Sequence, residues 1–403
     1  MEKAVIGVIG CGHIAQGMHL PNAVKNPRIR LKWCCDLSQR NLDIVKEQFH
    51  PENITTNYED VLNDPEVQGV LILTVHNVRL PLIKAAAEAG KHIYVEKPMS
   101  LDPKESYDIM KIIRKNNVKL VVGFNRRCAP IVTDAKAILE EQKANPKSAP
   151  WRYMRFAEEF TIPEEKRTMM MIRINDDSAS FKSYTMDEFV GQGTLIGEMC
   201  HFFDLACYMI GKEPVKIYTE GCARTNSAVT ILFEDQSICT IFITSGGSFD
   251  HPKELFELYY GGVSIQMDHF LQLRVGGKED FFEKEYDFLF DPYPYITEGK
   301  GTQLFINKMR ERNRLVTDPQ DLNWSSPNKG WAEMQDRFID CILNDAPSPC
   351  NELDGARATL MCLKARESAR LGLPVKINID EYDYIIGDVI EARAAERGIL
   401  GKT

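Results

Sequence analysis

The chain has 403 residues, of which 44% are hydrophobic and 27% are charged, and its formal net charge is −9. This length allows two domains with large cores, and the composition is typical of a soluble globular protein. The acidic balance and the lack of a basic stripe argue against a nucleic-acid-binding protein. No apolar run in the sequence is long enough to cross a bilayer, and the N-terminus lacks the pattern of a secretory signal. We therefore expect a cytoplasmic protein without membrane or nucleic-acid partners.

The eleven cysteines are scattered along the sequence, and no C-x-x-C pair occurs among them. This usage favours reduced thiols over a disulfide framework or a zinc site. We therefore expect no metal centre.

The first candidate binding site lies at the start of the chain. Ala4–Ile9 is a short apolar run typical of a buried parallel strand, and it leads directly into the pattern G-x-G-x-x-A at residues 10–15. In such a turn the first glycine permits the bend, the second lets a pyrophosphate approach the backbone, and the small third residue lets the helix pack on the strand. The start of that helix favours phosphate. The pattern predicts a dinucleotide site with contacts from Gly10, Gly12, His13 and Ile14.

Asp36 follows the second predicted strand, Arg28–Cys35. A dinucleotide-binding fold places at this point the acid that hydrogen-bonds the adenosine ribose. A 2′-phosphate there would meet a like charge, which favours NAD over NADP as the cofactor. Arg40 lies nearby and could soften this discrimination. The structural alternative is that Asp36 caps the helix that begins near Ser38.

Strands and helices then alternate up to Phe124. The predicted elements are a helix at Ser38–His50, a strand at Val67–Thr74, a helix at Val78–Gly90, a strand at His92–Val95, a helix at Pro103–Asn117 and a strand at Lys119–Phe124. This order is typical of a doubly wound parallel sheet of the α/β class. Because ligands of such sheets lie beyond the carboxyl ends of the strands, the side chains expected at the site are those of Thr74, His76, Glu96 and Asn125. For His76, a cofactor contact and a solvated loop position are both open.

Glu96-Lys97-Pro98 follows the carboxyl end of the His92–Val95 strand. A lysine at this place would stand beside the nicotinamide, where its ammonium could hydrogen-bond a substrate hydroxyl or carbonyl. Burial next to a positive ring would lower the pKa of Lys97. The same three residues taken alone also fit a surface loop, and the dinucleotide pattern upstream favours the chemical interpretation.

The second half of the chain begins with a predicted linking helix, Arg127–Ala144, and a predicted strand, Trp151–Phe160. Residues 161–190 are polar and irregular and are expected to form a loop. This loop either contributes Arg173, Asn175 or Tyr184 to the site or is a surface excursion.

A second chemical segment lies within residues 191–209, where apolar residues recur at helical spacing. Glu198, His201 and Asp204 are three residues apart, so a helix would place them on one face. A histidine on such a face can transfer a proton near neutral pH when a carboxylate orients it. The structural alternative is a core histidine satisfied by a neighbour.

From Pro214 the sequence is rich in strands, and after residue 330 it is helical. The predicted strands are Val215–Glu220, Ala228–Phe233, Ser237–Thr244, Leu255–Tyr260 and Val263–Met267, with a tight turn at Asp235-Gln236. Asp291–Lys329 has little periodicity and is expected to be a long loop. Gly330–Leu343 and Leu353–Leu371 are predicted amphipathic helices, and Ile379–Thr403 is a charged, helix-like tail.

Four of these segments together make the chain similar to the Gfo/Idh/MocA family, the relatives of glucose–fructose oxidoreductase and inositol dehydrogenase. They are residues 10–15, residues 89–92, Glu96-Lys97-Pro98 and Gly123–Arg127. The resemblance implies a Rossmann domain at 1–125 and, at 126–376, an α+β domain with a large, open, mostly antiparallel sheet. It also implies closing helices at 330–372 that pack back on the first domain, followed by a tail at 377–403. In this family the outer face of the sheet usually builds the oligomer, so we expect a dimer or tetramer.

The resemblance further implies that Lys97 is catalytic, that the Lys97–Pro98 bond is cis, and that His201 is the proton-transfer partner of Lys97. The residues expected to contact substrate are Lys97, Asn125, Arg127, Tyr184, His201 and Asp204.

The chain departs from the family pattern at several places. Val75 and Arg79 stand where the family usually has proline and histidine, and Trp331 replaces a frequent histidine. Gly197 stands where the family commonly has an aspartate, four residues before the histidine. The carboxylate that orients His201 is therefore open, and the adjacent Glu198 is a candidate catalytic residue.

Three functions are compatible with these expectations. The first is NAD-dependent hydride transfer between nicotinamide and a secondary alcohol of a sugar, sugar derivative or cyclitol. The second is NAD-dependent cleavage of a glycoside through transient sugar oxidation and elimination, which long loops at 161–190 and 291–330 would suit. The third is a dinucleotide-binding regulator without catalysis, which the loss of the aspartate at Gly197 favours and the retention of Lys97 and His201 disfavours.

Overall fold

The computed structural model describes residues 2–144, 166–176, 193–222, 225–248, 251–278, 282–290, 297–314 and 327–377. The predicted strand Trp151–Phe160, the candidate substrate residue Tyr184 and the predicted tail at 379–403 lie outside the described residues. Within the described ranges, no helix has both the length and the apolarity needed to cross a bilayer. All eleven cysteines are free thiols, as the sequence predicts.

The N-terminal half is built on a six-stranded parallel sheet with the order β3-β2-β1-β4-β5-β6. Its strands are β1 at Ala4–Ile9, β2 at Ile29–Cys35, β3 at Asn53–Thr55, β4 at Gly69–Ile72, β5 at His92–Val95 and β6 at Leu120–Val122. A π-helical turn at Ala15–His19 leads into α1 at Leu20–Lys25, and the connecting helices are α2 at Gln39–Phe49, α3 at Tyr58–Leu62, α4 at Arg79–Glu88 and α5 at Pro103–Asn116. The predicted Rossmann-type parallel sheet is confirmed.

Local chemistry explains why these elements form. The strands β4 and β6 are short apolar runs that are buried throughout, as strands covered on both faces must be. Asp102 accepts hydrogen bonds from the first backbone N–H groups of α5, and Asn117 ends that helix in the left-handed conformation. Because the strands are parallel, the turns that follow β1, β4, β5 and β6 meet at one edge of the sheet.

The C-terminal half is a nine-stranded sheet with the order β14-β13-β12-β11-β7-β10-β9-β8-β17. Its pairs are antiparallel except for β7 with β10. Its strands are β7 at Met169–Asn175, β8 at Pro214–Gly221, β9 at Ser227–Phe233, β10 at Ile238–Thr244, β11 at Glu254–Tyr260, β12 at Val263–Asp268, β13 at Gln272–Gly276, β14 at Phe282–Glu285 and β17 at Val375–Lys376. The expected open, mostly antiparallel second sheet is confirmed.

The helices of this half and a separate hairpin complete the described chain. They are α6 at Pro130–Ala144, α7 at Thr194–Gly197, α8 at Met199–Ile210, α9 at Thr302–Asn313, α10 at Trp331–Leu343 and α11 at Glu352–Leu371, with the hairpin strands β15 at Asp287–Phe290 and β16 at Thr297–Lys300.

The expectation of an irregular loop over 161–190 is wrong for residues 169–175. They form β7, which lies inside the sheet between β10 and β11. The first three residues of β7 are methionines, which have little preference for strands. Local propensity therefore does not reveal this strand. Arg173 donates to Pro252 O and Asn175 Nδ2 donates to Ser248 O, so both side chains support a neighbouring loop of the second domain.

The expectation of a loop over 291–329 is likewise wrong for residues 297–313. β16 pairs with β15, and α9 follows it directly. Phe305, Ile306 and Met309 of α9 belong to a small core that is separate from the main one. Their spacing is helical and is a signal present in the sequence, although two nearby glycines interrupt the pattern.

Helices α10 and α11 connect the two halves of the chain. Gln335 of α10 donates to His19 O at 3.0 Å in the first domain. Thr359 of α11 donates to Ser100 O at 3.1 Å, and the same helix packs against α8 and β8 of the second domain. These contacts fix the position of one sheet relative to the other.

A buried ion network strengthens this connection. Arg127, in the turn after β6, donates to both carboxylate oxygens of Asp204 at 2.7 and 2.5 Å and to Asp354 of α11 at 3.1 Å. Arg127 is 6% exposed and Asp204 is 3% exposed. The prediction that these two residues contact substrate is therefore corrected: they bind each other and tie α8 and α11 to the end of β6.

Replacement of Arg127 by methionine should lower the free energy of unfolding by about 3–5 kcal/mol, because it leaves buried carboxylates without their cation. The matched control is Arg30→Met. Arg30 forms exposed ion pairs with Glu52 and Glu66, and its loss should leave the free energy of unfolding nearly unchanged. Urea unfolding followed by circular dichroism measures both variants, and equal losses would contradict the stabilising role of the network.

Candidate active site

The turn after β1 has the geometry that a phosphate-binding loop requires. Gly10 has φ +96°, and a Cβ on it would lie 2.9 Å from the backbone carbonyl carbon of Leu73. A Cβ on Gly12 would meet no atom of the described residues within 4 Å, so the space in front of it is open to a ligand. His13 and Ile14 begin the helix that follows, and the N-terminus of a helix favours phosphate.

Asp36 lies directly after β2, beside this turn. Its Oδ2 accepts from Cys11 N at 2.7 Å, and its Oδ1 accepts from Ser38 N at 2.8 Å. The cap of α2 is Ser38, whose hydroxyl accepts from Asn41 N. The alternative role of Asp36 as the helix cap is therefore wrong, and its carboxylate is held next to the glycine-rich turn.

Lys97 follows β5 and reaches the second domain. Its Nζ donates to Gly197 O at 2.9 Å and lies 3.3 Å from Glu198 Oε2. The side chain is 21% exposed, so the ammonium is within reach of a small ligand. The Lys97–Pro98 peptide bond is cis, in agreement with the family resemblance.

The charge state of Lys97 differs from the expectation for a lysine beside a positive ring. Burial lowers the pKa of Lys97, but the nearby negative charges, with Glu198 foremost, outweigh burial and leave the pKa above its ordinary value. Without a bound cofactor, the carboxylate of Glu198 is the main reason that the pKa of Lys97 is raised and not lowered. Lys97 is therefore an ammonium at neutral pH.

Glu198 lies between two lysines. Its Oε1 is 3.9 Å from Lys253 Nζ, and Lys253 Nζ is 2.9 Å from Asp176 Oδ2. Burial raises the pKa of Glu198, but the positive charges of Lys97 and Lys253 prevail and lower it to about 2. Lys253 and Asp176 are site residues that sequence reasoning misses. Asp176 follows a strand that the sequence does not reveal, and nothing local separates Lys253 from an ordinary residue of the sheet.

Glu198, His201 and Asp204 do not share one helix face, contrary to the prediction. Helix α8 begins at Met199, so Glu198 precedes it and faces Lys97, whereas Asp204 faces Arg127. The physical reason is that each carboxylate forms an ion pair with a different cation, and the two cations lie in different directions. No carboxylate of the described residues therefore orients the imidazole.

His201 is buried in the first turn of α8. Its ring packs edge-on against Phe124, with 5.8 Å between the ring centroids, and its Nδ1 has no hydrogen-bond partner among the described residues. Burial lowers the pKa of His201 well below its usual range, and the charges of Arg126 and Lys97 act in the same direction. The imidazole is therefore neutral and can accept a proton or a hydrogen bond.

Three further polar atoms without partners lie at the carboxyl ends of β4 and β6. Thr74 Oγ1, His76 Nδ1 and Asn125 Oδ1 are buried and bind no described residue. The side chain of Asn125 is held by its amide nitrogen, which donates to Lys329 O at 2.8 Å. Burial lowers the pKa of His76 to about 3, so its ring is neutral. Because unpaired buried polar atoms are costly, they indicate a place that a ligand completes.

A second ion group, also missed by sequence reasoning, lies beside His201. Arg126 holds both carboxylate oxygens of Glu254 at 3.0 Å, and Lys329 Nζ lies 2.5 Å from the same carboxylate. Burial lowers the pKa of Lys329 to about 8. One sequence signal for this group is the pair of consecutive arginines at the end of β6.

Glu96 does not face the ligand space, contrary to the prediction of a cofactor contact. Its Oε1 lies 2.7 Å from His19 Nε2, and its Oε2 accepts from Lys97 N at 3.1 Å. Gln335 of α10 donates to the backbone of His19. The carboxylate of Glu96 is thus a support for the backbone of Lys97.

The residues at this edge of the sheet fit a dinucleotide. The open space at Gly12 suits a pyrophosphate, Asp36 offers a carboxylate beside the turn, and Thr74 and His76 carry unpaired polar atoms at the end of β4. Within the described ranges, no group of side chains is arranged to hold a metal ion. A donor at Lys97 and an acceptor at His201 give this site the means to move a proton.

Comparison with known proteins agrees with this geometry. Residues 5–124 match the model of the oxidoreductase family with an NAD-binding Rossmann fold, Gfo/Idh/MocA. The uncharacterized oxidoreductase YrbE of Bacillus subtilis (strain 168) is 25% identical over 94% of this chain and 98% of its own length. The myo-inositol 2-dehydrogenase of Thermotoga maritima is 26% identical over 92% of this chain and 98% of its own.

A solved structure has the same fold. The scyllo-inositol dehydrogenase of Lactobacillus casei, with bound NAD(H) and scyllo-inositol, aligns with a TM-score of 0.66 at 17% identity over 93% of this chain and 99% of its own. The family match over residues 5–124, the similarity to full-length oxidoreductases and the two-domain fold together support placing the chain with the Gfo/Idh/MocA oxidoreductases.

Proposed function

We propose that the protein is an NAD(H)-dependent dehydrogenase that transfers hydride between nicotinamide and a secondary alcohol of a sugar, sugar derivative or cyclitol. The observation that carries the proposal is the contact of Lys97 Nζ with Gly197 O at 2.9 Å and with Glu198 at 3.3 Å. This contact joins the amine of the first domain to the start of the helix that bears His201.

When bound, the cofactor supplies the nicotinamide that takes up or releases the hydride. Gly12 leaves room for its pyrophosphate, and Asp36 is the candidate acceptor for the ribose hydroxyls. A 2′-phosphate would meet the negative charge of Asp36, which supports NAD over NADP.

Two residues share the proton transfer. Glu198 keeps Lys97 as an ammonium, so Lys97 donates a hydrogen bond to the substrate oxygen and stabilises negative charge that develops there. His201 is neutral, so its imidazole accepts the hydroxyl proton during oxidation and returns it during reduction. The carboxylate next to Gly197 thus acts on the lysine and not on the histidine.

The polar groups at the site support a polyhydroxylated substrate. Asn125 Oδ1 is buried without a partner and is a candidate acceptor for a substrate hydroxyl. A site built to bind hydroxyls rejects analogues that lack them. The names of two similar proteins, a myo-inositol and a scyllo-inositol dehydrogenase, support a sugar or cyclitol.

The same proposal includes a homo-oligomer and a cytoplasmic location. Met169, Phe242 and Tyr259 lie on the neighbouring strands β7, β10 and β11, and each is 46–50% exposed. An apolar face of this kind supports a dimer or tetramer formed through the second sheet.

The free thiols support a reducing compartment.

A panel of cyclitols, aldoses and glycosides, assayed with NAD and with NADP, tests the proposed function. We expect NADH to appear with NAD and a free cyclitol or sugar, and a slower reaction with NADP. Release of sugar from a glycoside without net NADH would indicate the elimination reaction. Dinucleotide binding without turnover of any compound would indicate a regulator.

Lys97→Met should bind NADH as the wild type does and lose turnover by about 10²–10⁴-fold, the usual contribution of a general acid or base. The loss corresponds to about 3–5 kcal/mol of transition-state stabilisation. Lys84→Met is the control, because Lys84 is 58% exposed on α4. Steady-state kinetics and a fluorescence titration with NADH measure the two effects, and wild-type turnover in Lys97→Met would remove Lys97 from the chemistry.

Gly12→Ala should fold normally and weaken NADH binding, since its added methyl group would occupy open space needed by the pyrophosphate. Gly17→Ala is the matched control, because a Cβ there also meets no described atom within 4 Å. Gly10→Ala should instead destabilise the fold, since it collides with backbone. Thermal melts and NADH titrations distinguish these outcomes, and unchanged NADH affinity in Gly12→Ala would place the pyrophosphate elsewhere.

Glu198→Gln should move the alkaline limb of the reduction reaction to lower pH. Glu198 raises the pKa of Lys97 against the effect of burial, so without its charge burial prevails and the ammonium is lost at a lower pH. The pH profile of kcat in the reductive direction measures this shift. Glu47→Gln, an exposed change on α2, should leave the profile as it is, and an unshifted limb in Glu198→Gln would contradict the assignment.

A further inference from the structure

Arg79, the first residue of α4, places its guanidinium in the interior, where the residue is 4% exposed. Nε and Nη2 donate to Thr74 O at 3.0 and 2.8 Å. Nη1 donates to Glu96 O at 2.5 Å and also to Pro98 O. These partners are all backbone carbonyls, and among the described residues no carboxylate forms an ion pair with Arg79.

A buried cation of this kind is costly. Removing an ion from water costs several kcal/mol even after the protein relaxes. Burial lowers the pKa of Arg79 to about 10, so the guanidinium is still charged at neutral pH. The carbonyl dipoles offset part of this cost. The same hydrogen bonds hold in place the backbone that carries these carbonyls.

That backbone is the segment around Lys97. Glu96 and Pro98 are its two neighbours in the chain, and Thr74 lies just beyond the end of the adjacent strand β4. From the other side, the carboxylate of Glu96 accepts from Lys97 N at 3.1 Å. The backbone of Lys97 is therefore held by Arg79 on one side and by Glu96 on the other. Its ammonium is joined to this fixed backbone only through the flexible side chain.

We propose that Arg79 is a positioning residue for Lys97. Its guanidinium ties the carbonyls of Glu96 and Pro98, the residues on either side of Lys97, to the segment that follows β4, so that the ammonium reaches Gly197 O and Glu198. The proposal rests on the proposed role of Lys97 in proton transfer. A lysine at position 79 would keep the charge but not the fork that spans three carbonyls.

A double-mutant cycle of wild type, R79K, K97M and R79K/K97M tests this, with a substrate found in the panel. We expect R79K to lower kcat about 10²-fold, the effect of a small misplacement, with KM and NADH affinity within about two-fold of wild type. In the K97M background, R79K should cost less than about two-fold more, because Arg79 acts through Lys97. Independent losses that multiply would overturn the proposal, and so would a wild-type kcat in R79K.

A second measurement does not depend on turnover. Reductive methylation modifies the neutral amine, and mass spectrometry gives the rate at each lysine. Release of Lys97 from Glu198 should lower its pKa, so methylation of Lys97 should be several-fold faster in R79K while that of the exposed Lys84 stays the same. An equal rate at Lys97 in both proteins would overturn the positioning role, even if R79K were inactive. Full turnover in K97M would instead refute the proposed function, and the methylation rates would still decide the role of Arg79.

Two further variants separate positioning from loss of the fold. R114M removes an arginine that is 40% exposed in the same domain and should match wild type in every measurement. R79H keeps a planar side chain, but its neutral imidazole donates to only one carbonyl, so its kcat should also lie below that of the wild type. Should R79K not fold, the same cycle and labelling are run with R79H, and a kcat or a Lys97 methylation rate equal to wild type would then overturn the proposal.

Discussion

The contact between the Lys97 ammonium and the segment that begins α8 is the interaction on which the candidate site depends. It joins the carboxyl edge of a parallel sheet to the first turn of a helix from the other domain. Lys97 comes from the first domain and His201 from the second. The site therefore requires a fixed relation between the two sheets, which is supported by the packing of α11 on both halves and of α10 on the first domain.

Buried charge is arranged so that the carboxylates of Glu198 and Glu254 each have cations. Glu254, which is fully buried, binds Arg126 and Lys329, and Glu198 lies between Lys97 and Lys253. In a low-dielectric interior an unpaired charge would cost several kcal/mol of stability, so these groups form ion pairs with one another. Burial lowers the pKa of His201, the surrounding cations act in the same direction, and the imidazole is therefore neutral. The protein thus holds a charged donor and an uncharged acceptor at the same site.

The departures from the family pattern have a common consequence. The carboxylate that follows Gly197 faces the lysine, which leaves the imidazole without an acidic partner among the described residues. Arg79, where the family usually has histidine, binds carbonyls on both sides of the same lysine. Both changes act on Lys97, one on its charge and the other on its backbone.

The sequence by itself determined the parts of the protein that depend on neighbours in the chain. The turn at Gly10 and Gly12, the alternation of strands and helices, and the place of Lys97 after β5 follow from short-range sterics, burial patterns and capping. Only the tertiary structure decided which strand β7 pairs with and which charges meet. Arg127 and Asp204 are 77 residues apart, and Lys97 and Glu198 are 101 apart. Such partners are chosen when distant segments are buried together, because a buried charge must find a counter-charge wherever the fold brings one, and no local pattern records that choice.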